Sequence, residues 1–474
     1  MDQDLRKTRR TRRSGARSRK GILTCRARHT RCDEVLPICG NCRRSRQHCQ
    51  QPGFISSKWN ALVPTESGTE DGSEIPDDQC INFHPPTAAK LARHGHIEVQ
   101  ETYGILRHEG ASSPTETKMT QETVHLLQVY EKSIATWMDV FDSQWTYQRQ
   151  LLCMVPWSPL LLNAICALAA RQLSLTGSAL VWKAVAERYY GQAVHLLARL
   201  LNGYQSNDME LAVVASILLC SYELLAFPGI DYQRHFKGAH TLVQSLHAHK
   251  ATSSLTRASF WIYARHEVAE ALNRGSPTLH DPGLWPKFDL SQAEPAEDSF
   301  CNDVLRMAAE SACAVFGETQ SSRRPSSRQK RRLSILQDEL GTWFRLCPRK
   351  WMGSEYEENG KTRYWFPRPN FAAALVFYHL SMLLLWYELE KLQKEPESTK
   401  EFLDKVDSHA RQIILIALSC LPDSAIVVVV QPLCYAVKHV RDNVMREDAI
   451  ILLDDIEART GFHTRSKLER QMCG

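Results

Sequence analysis

Five cysteines fall within 25 residues near the amino terminus: Cys25, Cys32, Cys39, Cys42 and Cys49. The gaps between them hold six, six, two and six residues. The surrounding segment, Gly21–Cys49, is dense in arginine and poor in large apolar side chains. It cannot build a conventional core and needs a metal to fold. Zinc prefers four thiolates in a tetrahedron, and a Cys-x2-Cys pair such as Cys39 and Cys42 lets one turn supply two of them. Arg26, Arg28, Arg31, Arg43, Arg44 and Arg46 lie between the thiols. Cations placed there favour the thiolate form, offset the charge of a metal–thiolate cluster and can contact phosphates.

The charge is distributed unevenly along the chain. Residues 1–50 hold 15 Lys and Arg against 4 Asp and Glu, whereas the other 424 hold 43 against 49. A basic head on a mildly acidic body points to a polyanion-binding module joined to a second unit. The opening MDQDLRKTRR has no apolar core of the kind a secretory signal needs, so the cysteines are expected to be reduced thiols or metal ligands. Phe371–Tyr387 is the longest uncharged apolar stretch. It falls short of a spanning helix and carries His379 at its middle, so it reads as a buried core helix and no membrane partner is expected. The Val427–Val430 run is too short to span.

Four regions follow from composition. Residues 1–20 read as a basic disordered arm, and 21–50 as the metal-dependent module. Residues 51–118 read as an acidic, Ser-, Gly- and Pro-rich linker, with a short helix around Ala88–Ala92. Residues 119–474 read as a helical domain. There Val124, Leu127, Tyr130, Ile134, Trp137 and Phe141 recur at steps of three and four, the mark of an amphipathic helix. Similar patterns recur at Pro159–Leu173, Leu180–Leu201, Asp208–Phe227, His235–Leu246, Phe260–Leu272, Ser299–Phe316, Leu333–Leu346, Phe371–Leu392, Lys400–Leu421 and Gln431–Ile456. No strand-like alternation competes with them, so the expected fold class is an all-α domain of about ten helices. The basic run Ser321–Ser334 reads as an exposed loop, with nuclear import or phosphoregulation as its functional alternatives.

The cysteine spacing resembles the fungal Zn2Cys6 binuclear zinc cluster of transcription factors, C-x2-C-x6-C-x5–12-C-x2-C-x6–8-C. Cys25, Cys32, Cys39, Cys42 and Cys49 match its second to sixth positions, and Pro37 fills the usual proline position of its loop. The first cysteine of that pattern falls on Ile22. The resemblance implies two zinc ions bridged by the missing first cysteine and by Cys39. Cys25, Cys32 and Cys39 would then hold one ion, and Cys39, Cys42 and Cys49 the other. Isoleucine cannot ligate, so three alternatives stand open: a substitute ligand (water, His29 or His48), a single zinc ion, or a degenerate head.

The resemblance also implies that double-stranded DNA is the partner, read at a CGG-like triplet. The base-contacting positions fall on Arg28 and His29, and an arginine can bond guanine O6 and N7 together. Arg26, Arg31, Arg43, Arg44 and Arg46 suit phosphates, which position without specifying. Gln50–Asn60 contains Pro52 and Gly53 and no heptads, which argues against a coiled coil beside the head. Monomeric binding, or a homodimer through the helical body, is expected instead.

Residues from about 120 to 470 resemble the fungal-specific transcription factor regulatory domain. The residues that carry this are Trp137–Asp142, Val155–Arg171, Leu218–Leu224, Arg234–His240, Phe260–Arg265 and Gln431-Pro432. The two resemblances together imply a nuclear RNA polymerase II-type transcription regulator, with co-regulators as partners and a gene set such as a biosynthetic cluster as target. The alternative is a zinc-cluster protein that acts as a cofactor or protein-interaction module without reading DNA. Arg171, Arg265 and His266 are expected to pair with Asp139, Asp142 or Glu223, or to line a small-molecule pocket. GxGxxG, GxxxxGK[ST], GxSxG and HExxH patterns are absent from the sequence, so no enzyme is expected.

Overall fold

The computed structural model describes residues 40–45, 117–177, 179–203, 209–227, 233–248, 253–287, 296–317, 327–392 and 396–473. The chain divides into two compact units, Met1–Gly95 and His96–Gly474. In the first, the described element is α1, Gly40–Ser45. The basic arm, the short helix expected near Ala88–Ala92 and nearly all of the linker lie outside the described residues.

The second unit is helical, as the apolar periodicity implies. Its helices are α2 (Gln121–Lys132), α3 (Ile134–Met138), α4 (Leu151–Met154), α5 (Pro159–Thr176), α6 (Ala179–Asn202), α7 (Met209–Ala226) and α8 (Gln233–Ala248). They continue with α9 (Ser254–Arg274), α10 (Glu297–Phe316), α11 (Ser327–Leu346), α12 (Pro369–Lys391) and α13 (Pro396–Ala417). The chain ends with α14 (Asp423–His439), α15 (Asn443–Thr460) and α16 (Arg465–Cys473). Local chemistry sets the ends. Thr120 and Thr123 form a reciprocal capping box at the start of α2. Ser158 caps α5, with Pro159 at its first position, where no N–H is needed. Gly461 closes α15 at φ 73°, and a Cβ there would strike the Leu175 side chain.

Two groups of helices share one core. In the first, α5 packs on α2, α6 and α7, and α7 packs on α8; in the second, α12 packs on α10, α13 and α14. Helix α9 joins them, touching α7 and α8 on one side and α10 and α14 on the other. Helices α5, α7 and α12 are long and apolar enough to cross a membrane by length and composition. Most of each is buried inside the bundle (67%, 72% and 78%), so the surrounding helices account for their hydropathy. The expectation for Phe371–Tyr387 as a core helix holds, with Phe371, Leu380 and Leu385 fully buried.

Three details correct the sequence reading. A β-hairpin pairs β1 (Ser354–Glu358) with β2 (Lys361–Trp365), turned by Asn359 and Gly360, both at positive φ. Its strands are mostly exposed and charged, and so carry no apolar alternation to betray them. Gln431–Ile456 is two helices, because Asp442 accepts the N–H groups of Val444 and Met445 and starts a new one. The Val427–Val430 run belongs to α14, which continues through Pro432. The basic run is helical from Ser327 onward, with Arg331, Arg332 and Ser334 exposed and Leu333 buried.

A polar seam crosses the second group of helices. His379 on α12 and His409 on α13 meet through their Nδ1 atoms at 2.9 Å, one donating and one accepting. Burial lowers His379 to about 3 and His409 to about 4, each helped by a neighbouring cation or imidazole. A base whose folded pKa lies below its unfolded value of about 6.5 costs stability as pH falls from about 6.5 towards the folded value. Asp139, raised to about 7 by burial, works in the opposite direction over the same window. The expected outcome is therefore a difference between proteins. His379→Leu together with His409→Leu flattens the loss of stability between pH 6.5 and 4.5, by up to about 1.4 kcal/mol per pH unit for each imidazole. Urea unfolding of both proteins across that range measures it; parallel curves refute it.

Candidate functional site

Helix α1 places the second cysteine of the Cys-x2-Cys pair and the two arginines that follow. Cys42 is buried, with 1% exposure, whereas Arg43 and Arg44 are exposed. The thiol thus turns inward and the cations outward, as a thiolate-bound metal beneath a phosphate-facing surface requires. The remaining candidates lie outside the described residues: Cys25, Cys32, Cys39 and Cys49 among the thiols, and Arg26, Arg28, His29, Arg31 and Arg46 among the DNA contacts. Among the described residues, no group of three His, Cys, Asp or Glu is arranged to hold a metal. Whether zinc fits is therefore a matter of donor chemistry. Five thiols satisfy one tetrahedral ion and leave a second ion short, and the buried position of Cys42 is the one expected of a ligand.

In the helical body, the expected buried arginines find different partners. Arg171 donates to the carbonyls of Leu225 and Ala226, at 3.3 and 3.0 Å, and so closes the carboxyl end of α7. Arg265 donates to the carbonyls of Trp137 and Met138, at 3.3 and 2.6 Å, where α3 ends. Neither guanidinium has a carboxylate within 4 Å among the described residues. Glu223 instead accepts from the Tyr190 hydroxyl at 2.8 Å and lies 3.7 Å from His235. Helix termini offer several aligned carbonyls without the cost of burying a second charge, which is why they outcompete acids here.

The chain between α3 and α4 is held by the two aspartates. Asp139 accepts the N–H groups of Tyr147 and Gln148, at 2.9 and 2.7 Å, and Asp142 accepts those of Gln144 and Thr146. They frame a left-handed Trp145 (φ 51°) and a π-helical turn, Thr146–Gln150. The Tyr147 hydroxyl then reaches Ser259 of α9 at 2.8 Å. Burial raises the Asp139 carboxyl to about 7 against the pull of these N–H groups and of Arg265. The same burial lowers Arg265 to about 10. Sequence reasoning singled out Asp139, Asp142 and Arg265, but not Tyr147 or Ser259, which lie in unpatterned or ordinary helical sequence. Asp139→Ala leaves the buried N–H of Tyr147 and the half-buried N–H of Gln148 without acceptors, so a loss of about 2 kcal/mol is expected. Asp139→Asn, which keeps one acceptor, should lose less; equal losses on denaturant unfolding would contradict the role of the second bond.

Comparison with known proteins follows the same division. Residues 125–468, more than half of the chain, match the fungal specific transcription factor domain, and residues 23–57 match the fungal Zn(2)-Cys(6) binuclear cluster domain. Adhesion and hyphal regulator 1 of Candida albicans is 50% identical over 34 residues, 7% of this chain and 5% of that protein. White-opaque regulator 2 of Candida albicans is 38% identical over 61 residues, 13% of each. Transcription factor lfc1 of Flammulina velutipes is 34% identical over 77 residues, 15% of this chain and 27% of that protein. The chain thus spans from about a twentieth to about a quarter of these curated relatives. No solved structure matches it. With a zinc-cluster match ahead of a helical body that fits along nearly its whole length, the chain belongs to the fungal specific transcription factor family.

Proposed function

We propose that this chain is a sequence-specific DNA-binding regulator of RNA polymerase II transcription that acts in the nucleus. The observation that carries this reading is the union, in one chain, of a zinc-cluster match and a fungal transcription factor domain. The inward Cys42 and outward Arg43 and Arg44 of α1 support it, since that is how a metal-folded module presents cations to a duplex. In this reading, residues 21–50 form the DNA-binding module, 1–20 a basic arm, 51–118 a linker and 119–474 the regulatory domain.

Zinc supplies the fold of the module when bound. Cys25, Cys32 and Cys39 would hold one ion, and Cys39, Cys42 and Cys49 a second, each one sulfur short because Ile22 stands where the pattern has cysteine. Arg28 and His29 would read bases, and Arg26, Arg31, Arg43, Arg44 and Arg46 would grip phosphates. Co-regulators, and a second copy through the helical body, are the protein partners. The second reading is favoured by Ile22: a head weakened in metal binding that contacts proteins rather than base pairs.

Two experiments separate these readings. On the purified full-length chain, native mass spectrometry should count more zinc in Ile22→Cys than in the parent, because the new thiolate completes the cluster. An unchanged count ends the vacated-ligand argument. Selection from a random duplex pool should enrich a CGG-like site. On that site Arg28→Ala should weaken binding about 10- to 100-fold, with a much smaller loss on random DNA. Equal losses on both, or no enrichment, favour the protein-contact reading.

A further inference from the structure

A cavity of about 110 Å3 opens where α3, α5, α7, α9, α14 and α16 converge. Its wall is largely apolar and includes Ile134, Leu168, Leu224 and Val427. Two polar side chains at its edge are left unsatisfied, and a lysine stands beside them. Gln431, 4% exposed, has no hydrogen-bond partner for either Nε2 or Oε1. The buried indole Nε1 of Trp137 has none either. The ammonium of Lys467 is buried, and among the described residues no carboxylate lies within 4 Å of it. Its nitrogen lies 5.2 Å from the centroid of the Phe462 ring, with Cys434 nearby. Glu270 contributes a more distant negative charge, but it is already paired with Arg274.

The local potential is positive. Arg265 and Lys467 both line the cavity, and its wall contains no Asp or Glu. His266, also in the wall, is held neutral, lowered to about 3 by burial and by these two cations. Burial lowers Lys467 itself to about 8, so it keeps its charge at neutral pH. An ammonium enclosed without an ion-pair partner and a carboxamide with both ends unused are costly to a fold. Methionine would fill the same volume as Lys467 without that cost. Such groups persist where a site is built for something that completes it.

We propose that this cavity binds a small carboxylic acid with a compact apolar body, its carboxylate held by Lys467 and its remaining polar atoms by Gln431 and Trp137. The size limits the ligand to a compact body, since an engineered apolar cavity of about 150 Å3 holds one benzene ring and this one, open at one side, is smaller. The apolar wall takes the body, and the ammonium selects an acid over a neutral isostere. Gln431-Pro432 gains a purpose here: the proline sits inside α14 and the preceding carboxamide faces the cavity. The site lies wholly within the helical body and requires nothing of the amino-terminal module.

The test titrates the full-length chain with benzoate and 4-methylpentanoate by calorimetry, with benzyl alcohol and benzamide as neutral counterparts. The acids should bind at least tenfold more tightly than the neutral compounds. Lys467→Met should lose at least tenfold in acid affinity while its melting temperature rises, a pairing that a merely structural lysine would not produce. Lys467→Arg should keep the preference for acids. Leu224→Trp, which fills the cavity from its partly exposed wall, should abolish binding of every probe while circular dichroism stays unchanged. Equal affinity for benzoate and benzyl alcohol, acid binding that survives Lys467→Met or Leu224→Trp, or no binding by any probe would each overturn the proposal.

Discussion

The helical body depends on the removal from water of three helices that are apolar on nearly all sides: α5, α7 and α12. Burial of apolar surface at roughly 25 cal/mol per Å2 is the dominant favourable term for a unit of this kind. A helix apolar on all faces must be surrounded, and this demand sets the architecture. Amphipathic helices such as α2, α8 and α13 supply the cover, and α9 has to serve both groups at once. The bundle therefore has two crowded centres and one shared seam. At that junction packing alone does not satisfy every group, and α9 buries Ser259, Arg265, Glu267 and Glu270 there.

Arg265 shows how the seam is resolved. It lies on the shared helix α9, yet it binds the carbonyls at the end of α3 and not an acid. Asp139, one residue beyond those carbonyls, turns to the N–H groups of Tyr147 and Gln148. The guanidinium and the carboxylate thus stabilise opposite ends of the same break in the chain, each through backbone dipoles. This is cheaper than sharing one buried ion pair, whose desolvation can exceed its Coulombic gain. It also leaves the cavity beside Arg265 cationic, with Lys467 as a second charge that the fold does not neutralise. The unsatisfied carboxamide of Gln431 lies in the same wall. Trp137, whose indole N–H is also unsatisfied, stands in that wall too, and an apolar cavity edged by a few convergent polar groups is the ordinary arrangement of a small-molecule site.

The amino-terminal module obeys a different economy. Its sequence holds few large apolar side chains, so a hydrophobic core cannot supply its folding free energy. In the proposed reading each cysteine counts for more than any core residue of the body, and the isoleucine at position 22 weighs on the whole module. The body tolerates local exceptions such as a proline inside α14 because many contacts share the load. A cluster built on a few ligands has no such reserve.

Much of this was legible in the chain itself. Thiol spacing with interleaved arginines points to a metal and a polyanion, and the 3.6-residue period marks most helices to within a turn. Both signals are local: ligand spacing and helical faces repeat over a few residues, so a linear string displays them. The hairpin at Ser354–Trp365 escaped notice because its strands face water and need no alternating pattern. The break at Asp442 escaped because one capping side chain does not alter the average hydropathy around it. Lys467 sits in RSKLERQMC, which reads as a solvated surface helix, and only the packing of α16 against α14 and α9 buries it. Composition and periodicity determined that one part of the chain is basic and metal-dependent and the other a helical body. Which charges end up enclosed, and which of them remain unanswered, was decided by tertiary packing, because burial depends on helices brought together from distant parts of the chain.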